Sequence, residues 1–218
     1  APSALHQVLA SPLYRGATLA MLLSGIGTSA AAPQIVLFLS KDLGTPLPIA
    51  GLYYLTSLAA PVAGYLVGSY SDRTGGRLGL FRLCALLGAI GWAAVALSTQ
   101  VWMPFVISTL ILAFSGAATS QLFAAVHDDI TQTPTPAGES IVAIVRMALT
   151  AGWVIGPVLG AWLAAAAGMR SMLWVTAACG RLQIVPLGGL RVRRAEALQR
   201  AEAKRVDAVG LKAMGPFL

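Results

Sequence analysis

The residues best suited to a chemical role lie in one short polar segment, residues 68–77, between two long apolar runs. Its sequence is Gly-Ser-Tyr-Ser-Asp-Arg-Thr-Gly-Gly-Arg. Asp72 can pair with a cation or with the N-terminus of a neighbouring helix, and Arg73 and Arg77 can anchor the segment at an anionic membrane face. Because glycine tolerates positive φ angles, Gly75 and Gly76 predict a tight reversal. The segment is therefore predicted to be a charged joint between two helices.

Other reactive residue types do not form the patterns that enzymes use. The sequence has no nucleophile elbow, metal-ligand cluster or phosphate-binding loop. Cys84 and Cys179 fall inside apolar runs and lack the paired spacing of a zinc site or a disulfide framework. We therefore predict that the protein is not an enzyme and that it needs no cofactor and no metal ion.

The composition indicates an integral membrane protein. Hydrophobic residues make up 57% of the 218 residues and charged residues only 11%, whereas soluble domains are about half apolar and about a quarter charged. The net charge of +7 could suggest a nucleic-acid partner. The basic residues lie at the ends of apolar runs, however, so orientation against membrane lipid explains the charge better, and no nucleic-acid partner is expected.

Six apolar runs are each long enough to cross about 30 Å of hydrocarbon as a helix rising about 1.5 Å per residue. They lie near residues 17–39, 49–69, 78–98, 102–126, 141–167 and 171–190. Since a helix satisfies its own backbone groups in lipid, the predicted fold is an all-α membrane protein with a six-transmembrane-helix bundle over residues 1–190. Residues 191–218 are predicted to be a basic cytoplasmic tail or the start of a central loop.

The distribution of lysine and arginine predicts the orientation of these spans. One side carries Arg15, the arginines of the charged segment and the basic tail, whereas the other side has only Lys41 and Arg170. Both termini and residues 68–77 are therefore predicted to be cytoplasmic. The first apolar run is too long for the apolar core of a signal peptide, so it is predicted to be part of the mature protein.

The charged segment resembles the loop between the second and third spans of the major facilitator superfamily. That pattern runs Gly, three residues, Asp-Arg, one residue, Gly, one residue, Arg, and Gly68 is expected to allow close packing near the end of span two. The resemblance implies secondary transport by alternating access, in which this loop takes part in gating. The residues that carry the resemblance are Gly68, Asp72, Arg73, Gly75, Gly76 and Arg77.

Span five contains a second resemblance, to the Gly-x-x-x-Gly-Pro-x-x-Gly stretch of facilitator exporters, at Gly152, Gly156, Pro157 and Gly160. Pro157 removes a backbone donor, and the three glycines leave one smooth helix face. The stretch therefore predicts either a hinge or a close helix contact. The antiporter version continues with a further glycine, where this chain has Ala161.

Three features together resemble the bacterial sugar efflux transporters: Ser120-Gln121-Leu-Phe-Ala ending span four, Arg146, and Gly152-Trp153-Val-Ile-Gly-Pro in span five. The resemblance implies export of a small polar solute, a sugar or a glycoside, across the bacterial inner (plasma) membrane. Two alternatives stay open, a drug/proton antiporter of the same superfamily and a membrane fragment without transport activity.

Polar and aromatic side chains inside the spans are candidate substrate contacts, because polar groups in lipid are costly unless they meet a cavity or another helix. Amides and a guanidinium can bind hydroxyl-rich ligands, and aromatic rings can stack on a sugar face. Arg146 could instead extend towards the cytoplasm or pair with Glu139 or Asp129, and the aromatic residues could form an interfacial belt. The candidates are Gln34, Tyr53, Gln121, Arg146 and Trp153.

The chain supplies one six-span half, whereas facilitators of this type bind substrate between two halves. The resemblance therefore implies a second transporter half, or a second copy of this chain, as partner. Protons as coupling ions stay open, because every Asp and Glu lies in a loop, at a span end or in the tail. A charge midway along the sixth run, Arg181, and the unusual tail also leave open a truncated or frame-shifted product.

Overall fold

The structure is a computed structural model that describes residues 3–190, and the regular structure in that part of the chain is helical. The predicted tail, residues 191–218, lies outside the described residues. Two 3₁₀ segments lie at Leu52–Ala59 and Val185–Leu187, and a π-helical segment lies at Ser108–Leu112. The α-helices are α1 Ala4–Ala10, α2 Pro12–Ala31, α3 Ile35–Lys41, α4 Leu47–Gly51, α5 Ala60–Thr74, α6 Arg77–Ala96, α7 Trp102–Ile107, α8 Ala113–Gln132, α9 Gly138–Ala167 and α10 Met169–Leu182.

Five helical stretches of the described chain are long and apolar enough to cross a membrane. They correspond to the first five apolar runs of the sequence, so the protein is an all-helical, multi-pass membrane protein. The stretches are Pro12–Lys41, Leu47–Thr74, Arg77–Ala96, Trp102–Gln132 and Gly138–Ala167.

The sixth apolar run forms a shorter helix than predicted. Helix α10 has 14 residues, about 21 Å at the helical rise, which is less than the roughly 30 Å of hydrocarbon. The ring of Pro186 would clash with the carbonyl of Leu182, where the helix ends. Beyond it, Arg82 of α6 donates to the backbone oxygens of Leu187 and Leu190 and holds this segment against α6. The prediction of six crossings is therefore not confirmed.

The first span is interrupted rather than continuous. Pro33 has no N–H to donate and its ring opposes a continuing helix, so α2 ends at Ala31 and a turn over residues 32–34 leads into α3. The N–H of Gln34 donates to the oxygen of Ala31 at 3.0 Å, which closes that turn.

The long helices form an arc in which each packs mainly against the next, in the order α9, α2, α10, α6, α8 and α5. The closest contact joins α2 to α9. Gly152, Gly156 and Gly160 are buried on one face of α9 and lie against the backbone of α2. The hydroxyl of Ser29 on α2 donates to the oxygen of Gly25 in its own helix at 2.7 Å and lies 3.2 Å from the oxygen of Gly152. Small residues thus bring the two backbones together, as expected where lipid leaves no hydrophobic drive between helices.

Arg170, at the start of α10, links three of the segments that connect helices at one end of the bundle. Its guanidinium donates to the oxygens of Ala96 and Ser98 at 2.6 and 2.9 Å, which satisfies carbonyls at the end of α6. Its Nε lies 3.9 Å from a carboxylate oxygen of Asp42, and its charge lies 5.5 Å from the centre of the Phe38 ring. One side chain therefore joins the loops that follow α3, α6 and α9.

Replacing Arg170 by glutamine is expected to lower the free energy of unfolding by about 1–2 kcal/mol, because charged hydrogen bonds to backbone carbonyls are lost. The side chain is 43% exposed, so the effect is expected to stay below that of a fully buried ion pair. The measurement is unfolding of the purified protein in mixed micelles by titration with a denaturing detergent. Arg73→Gln, at an exposed arginine, is the matched control. Equal stability of the two variants would contradict the role of Arg170.

Candidate functional site

Two non-α helical segments of the described chain meet where span two packs against span four. The 3₁₀ segment Leu52–Ala59 faces the π-helical segment Ser108–Leu112, and the hydroxyls of Tyr53 and Ser108 join them at 2.5 Å. Both side chains are buried. Non-α turns inside helices frequently mark functional positions, because they redirect side chains and free backbone carbonyls.

A groove of about 230 Å³ opens beside these two segments. Side chains from α2, the 3₁₀ segment, α6, the π segment and α8 line it. Most of the exposed lining is apolar, and hydroxyl groups supply most of its polar part, so we call it the hydroxyl groove. Its polar and aromatic members are Thr28, Tyr53, Tyr54, Thr56, Ser57, Trp92, Ser108 and Ser115.

Most of these hydroxyls already use their one proton within the protein. Thr56, Ser57 and Ser115 each donate to the backbone oxygen three residues earlier, at 2.7, 2.6 and 2.7 Å. Tyr54 donates to the oxygen of Ala32 at 3.0 Å. These bonds satisfy carbonyls near the irregular segments where lipid provides no water. Each hydroxyl oxygen keeps acceptor capacity, so the groove suits a ligand that brings several hydroxyl donors.

A charged network lies at the other end of span two and is centred on Arg77, the first residue of α6. Its Nε donates to a carboxylate oxygen of Asp128 on α8 at 2.6 Å. Its Nη1 lies 3.2 Å from a carboxylate oxygen of Asp72 and 3.3 Å from the hydroxyl of Ser71. That hydroxyl donates in turn to the amide oxygen of Gln121 on α8 at 2.5 Å. Arg77 therefore ties the turn between α5 and α6 to α8.

A second bond joins α8 to span one at this end of the bundle. The hydroxyl of Tyr14 on α2 donates to a carboxylate oxygen of Asp129 at 2.7 Å. The adjacent acids Asp128 and Asp129 thus contact different helices. Through them, α8 is held to α6 and α2, and the bond between Gln121 and Ser71 holds it to α5.

The turn at residues 74–77 is partly as the sequence predicts. Gly75 has φ +65° and its N–H donates to the oxygen of Ser71 at 2.8 Å, which ends α5 in a left-handed cap. The predicted positive φ is wrong at Gly76, where φ is −82°, because the single residue Gly75 completes the reversal. At Gly68 a Cβ would meet nothing within 4 Å, so the described residues provide no partner for the close packing expected there.

Comparison with known proteins identifies the family. The sequence model of the Major Facilitator Superfamily matches residues 17–214. The chain belongs to the major facilitator superfamily. This family consists of transporters rather than enzymes. Within residues 3–190, no three or more His, Cys, Asp or Glu side chains lie close enough together to hold a metal ion.

Several facilitators resemble this chain over most of its length. A Deinococcus radiodurans protein with sugar efflux in its name is 31% identical over 177 residues, which is 81% of this chain and 46% of that protein. Sugar efflux transporter A of Dickeya chrysanthemi is 30% identical over 85% of this chain and 49% of its own length. Sugar efflux transporter A of Escherichia coli K12 is 28% identical, with coverages of 79% and 44%. The chain spans about half the length of these curated relatives. No solved structure matches it.

The structure of this facilitator does not bring the five predicted substrate contacts together. Tyr53 alone lines the hydroxyl groove. Gln121 is buried but its amide oxygen accepts from Ser71 in the charged network. Gln34 is half-buried in the turn between α2 and α3, and Trp153 is exposed on α9. The guanidinium of Arg146 lies 5.9 Å from the centre of the Phe123 ring, and the residue is exposed.

The groove residues that the sequence analysis missed are mostly serines and threonines. Single hydroxyl residues in apolar spans usually bond to their own helix, so their type carries little information about a ligand. The one usable signal in the sequence was the clustering of aromatic and hydroxyl residues in span two. There Tyr53 and Tyr54 are followed, after one leucine, by Thr56 and Ser57.

Proposed function

We propose that the chain is one half of a secondary transporter that exports a small polyhydroxylated solute, a sugar or a glycoside, by alternating access. The observation that carries this proposal is the hydroxyl groove. It offers acceptor oxygens beside the exposed ring of Tyr54 and the half-buried ring of Trp92, which suits a ligand with hydroxyl donors on its rim and an apolar ring face. The names of the related sugar efflux transporters support the same substrate class.

A second half, or a second copy of the chain, is proposed as the partner that completes the substrate site. The chain spans about half of its relatives, and the two helices at the ends of the arc present large apolar side chains outward. Val154 and Val158 on α9 are 70% and 71% exposed, and Val62 and Tyr65 on α5 are 62% and 74% exposed. Such faces suit contact with lipid and with further helices.

The proposed topology has six crossings of the bacterial inner membrane, with both termini in the cytoplasm. In this orientation the charged network faces the cytoplasm and the hydroxyl groove lies towards the other side. Residues 68–77 would then gate the cytoplasmic end, with Arg77 released from α8 when that end opens. Pro157 and its flanking glycines would serve as a hinge, or as a fixed contact, between α9 and α2.

Drug/proton antiport is the second candidate within the family. It is less favoured because the acidic residues of the described chain lie at helix ends or in loops, none in the middle of a span. These residues are Asp42, Asp72, Asp128, Asp129 and Glu139. If protons are the coupling ion, Asp128, Asp129 and His127 are the groups placed to carry them.

Cells that express the chain together with its second half, or at a level at which two copies associate, are expected to release a preloaded, labelled methyl glucoside faster than cells without it. They are expected to show no such difference for a labelled lipophilic cation. Tyr54→Ala is expected to weaken the apparent affinity for the glucoside about tenfold, since it removes a stacking surface worth roughly 1.4 kcal/mol. The measurement is initial efflux rate against internal concentration.

Trp102→Ala is the matched control, because Trp102 is an aromatic residue of span four that is 62% exposed and is not part of the groove. Its affinity for the glucoside is expected to equal that of the wild type. Faster release of the cation, with no glucoside release, would favour the antiporter instead, and release of neither would support a fragment without transport activity.

A further inference from the structure

A second, smaller cavity lies behind the hydroxyl groove, inside the bundle. We call it the inner pocket; it measures about 30 Å³ and is lined by residues of α2, α6, α8 and α10 and by Gln183, which directly follows α10. Thr28, Trp92 and Ser115 line both cavities, so the inner pocket is the deep end of the same cleft. Its remaining polar lining comes from Ser24, Thr176 and Gln183.

Gln183 carries a buried hydrogen-bonding group that the protein does not satisfy. The residue is 6% exposed, and its amide nitrogen donates to the oxygen of Gly180 at 3.1 Å. Its amide oxygen has no hydrogen-bond partner among the described residues. Leaving such an acceptor unpaired costs about 1–3 kcal/mol, so buried polar groups in native proteins are almost always paired, often with an ordered water.

The size and lining of the inner pocket select its ligand. A water molecule needs about 10–15 Å³ of such volume and two to four polar partners, so one or two waters fit here. A sugar ring does not fit. A metal cation is disfavoured because none of the lining residues is acidic, and a charge without a counter-charge is expensive at this depth.

We propose that the inner pocket binds one or two ordered water molecules, held by the amide oxygen of Gln183, and that these waters hydrogen-bond a hydroxyl group of the solute in the hydroxyl groove. The hydroxyl groups of Ser115 and Thr176 already donate their protons to the carbonyl oxygens of Leu112 and Met172. They therefore accept from the water rather than donate to it. The second half of the proposal rests on the proposed function, whereas the water site itself does not.

The first test is a high-resolution structure of the full chain in a lipid nanodisc, wild type and Thr176→Val. The wild type is expected to show water density within hydrogen-bond distance of the amide oxygen of Gln183, and the variant to show weaker or displaced density. Thr150→Val is the matched control, because the Thr150 hydroxyl makes the same bond to a carbonyl four residues earlier but lies on the exposed face of α9. A wild-type map without water at this place would overturn the proposal.

The second test separates water from a cation and from a purely structural role. Replacing Na⁺ by choline is expected to leave the melting temperature of the wild type unchanged. Stabilisation by Na⁺ that is lost in Gln183→Leu would overturn the water assignment.

The link to the solute is tested by glucoside efflux. Thr176→Val is expected to raise KM about three- to tenfold with little change in maximal rate, whereas Thr150→Val leaves KM unchanged. Unchanged KM in Thr176→Val would overturn the link to the solute. If the wild type exports no glycoside, the proposed function fails, and the density alone decides the water site.

Discussion

Replacing Gly152 by alanine is expected to separate α2 from α9 and to abolish stable folding of the chain. The added methyl would lie 2.6 Å from the oxygen of Leu22 and 2.8 Å from the nitrogen of Ile26. Both are backbone atoms of α2, so no side-chain rotation relieves the contact. Overpacking that side chains can absorb costs about 1–3 kcal/mol, and a backbone clash places Gly152→Ala at or above about 3 kcal/mol. The measurement is the yield of monodisperse protein, followed by detergent-induced unfolding.

The contact between α9 and α2 can also be tested by a substitution on α2, with a glycine that has no close neighbour as the control. Gly25→Ala on α2 would bring a methyl 2.5 Å from the oxygen of Leu149 and is expected to have a similar effect. Gly64→Ala on α5 is the control, because a Cβ there meets nothing within 4 Å. Alanine is the better helix former by about 0.8–1 kcal/mol, so this variant is expected to be at least as stable as the wild type. If Gly152→Ala matched Gly64→Ala in stability, the described helix contact would be incorrect.

The glycine contact between α9 and α2 shows which part of the helix packing the sequence alone predicts. Glycines at positions 152, 156 and 160 repeat every four residues, and this repeat predicts a smooth face on one helix. It does not identify the opposing helix, because small residues four apart occur in more than one other span, at Gly25 and Ser29 of α2 and at Gly64 and Gly68 of α5. Close approach in lipid depends on the complementary shapes of two surfaces, and the pattern of one surface does not specify the other.

The hydroxyl groove was beyond sequence-based prediction for a different reason. Its position depends on a 3₁₀ segment in span two and a π-helical segment in span four, and neither has a hydropathy pattern that distinguishes it from an α-helix. Selecting candidates by the cost of burying a polar group correctly singled out Gln121 as a buried amide. The structure shows that Ser71 satisfies this amide, so burial alone did not separate a structural hydrogen bond from a ligand contact.

The charged segment was the most predictable part of the site, because its pattern is local. The turn at Gly75 and the pairing of Asp72 with Arg77 involve residues that are close in the chain. The shorter of the two ion pairs of Arg77 joins it to Asp128, 51 positions later, and this pairing depends on how α8 packs against α5 and α6. No partner for Arg77 on span four was predicted from the sequence.

Replacing Arg77 by glutamine is expected to release the turn between α5 and α6 from α8 and to reduce solute efflux tenfold or more. Arg77 contacts two carboxylates, and their exposure decides which one matters. The side chains of Arg77 and Asp128 are 23% and 41% exposed, whereas that of Asp72 is 69% exposed. Solvent-exposed ion pairs contribute about 0–1 kcal/mol, so the pair with Asp128, at 2.6 Å, is expected to carry most of the coupling, about 1–2 kcal/mol.

A double-mutant cycle measures how strongly Arg77 is coupled to Asp128, and Asp72 serves for comparison. Asp128→Asn is expected to reproduce most of the loss of stability and efflux seen in Arg77→Gln, and the double variant should add little to either single change. Asp72→Asn is the matched control and is expected to have a clearly smaller effect on stability. Arg77→Lys keeps the positive charge but not the planar guanidinium that reaches Asp72 and Asp128 together, so partial recovery is expected. If Asp72→Asn proved as damaging to stability as Asp128→Asn, the network would depend on the loop pair, and α8 would not be the helix that Arg77 holds.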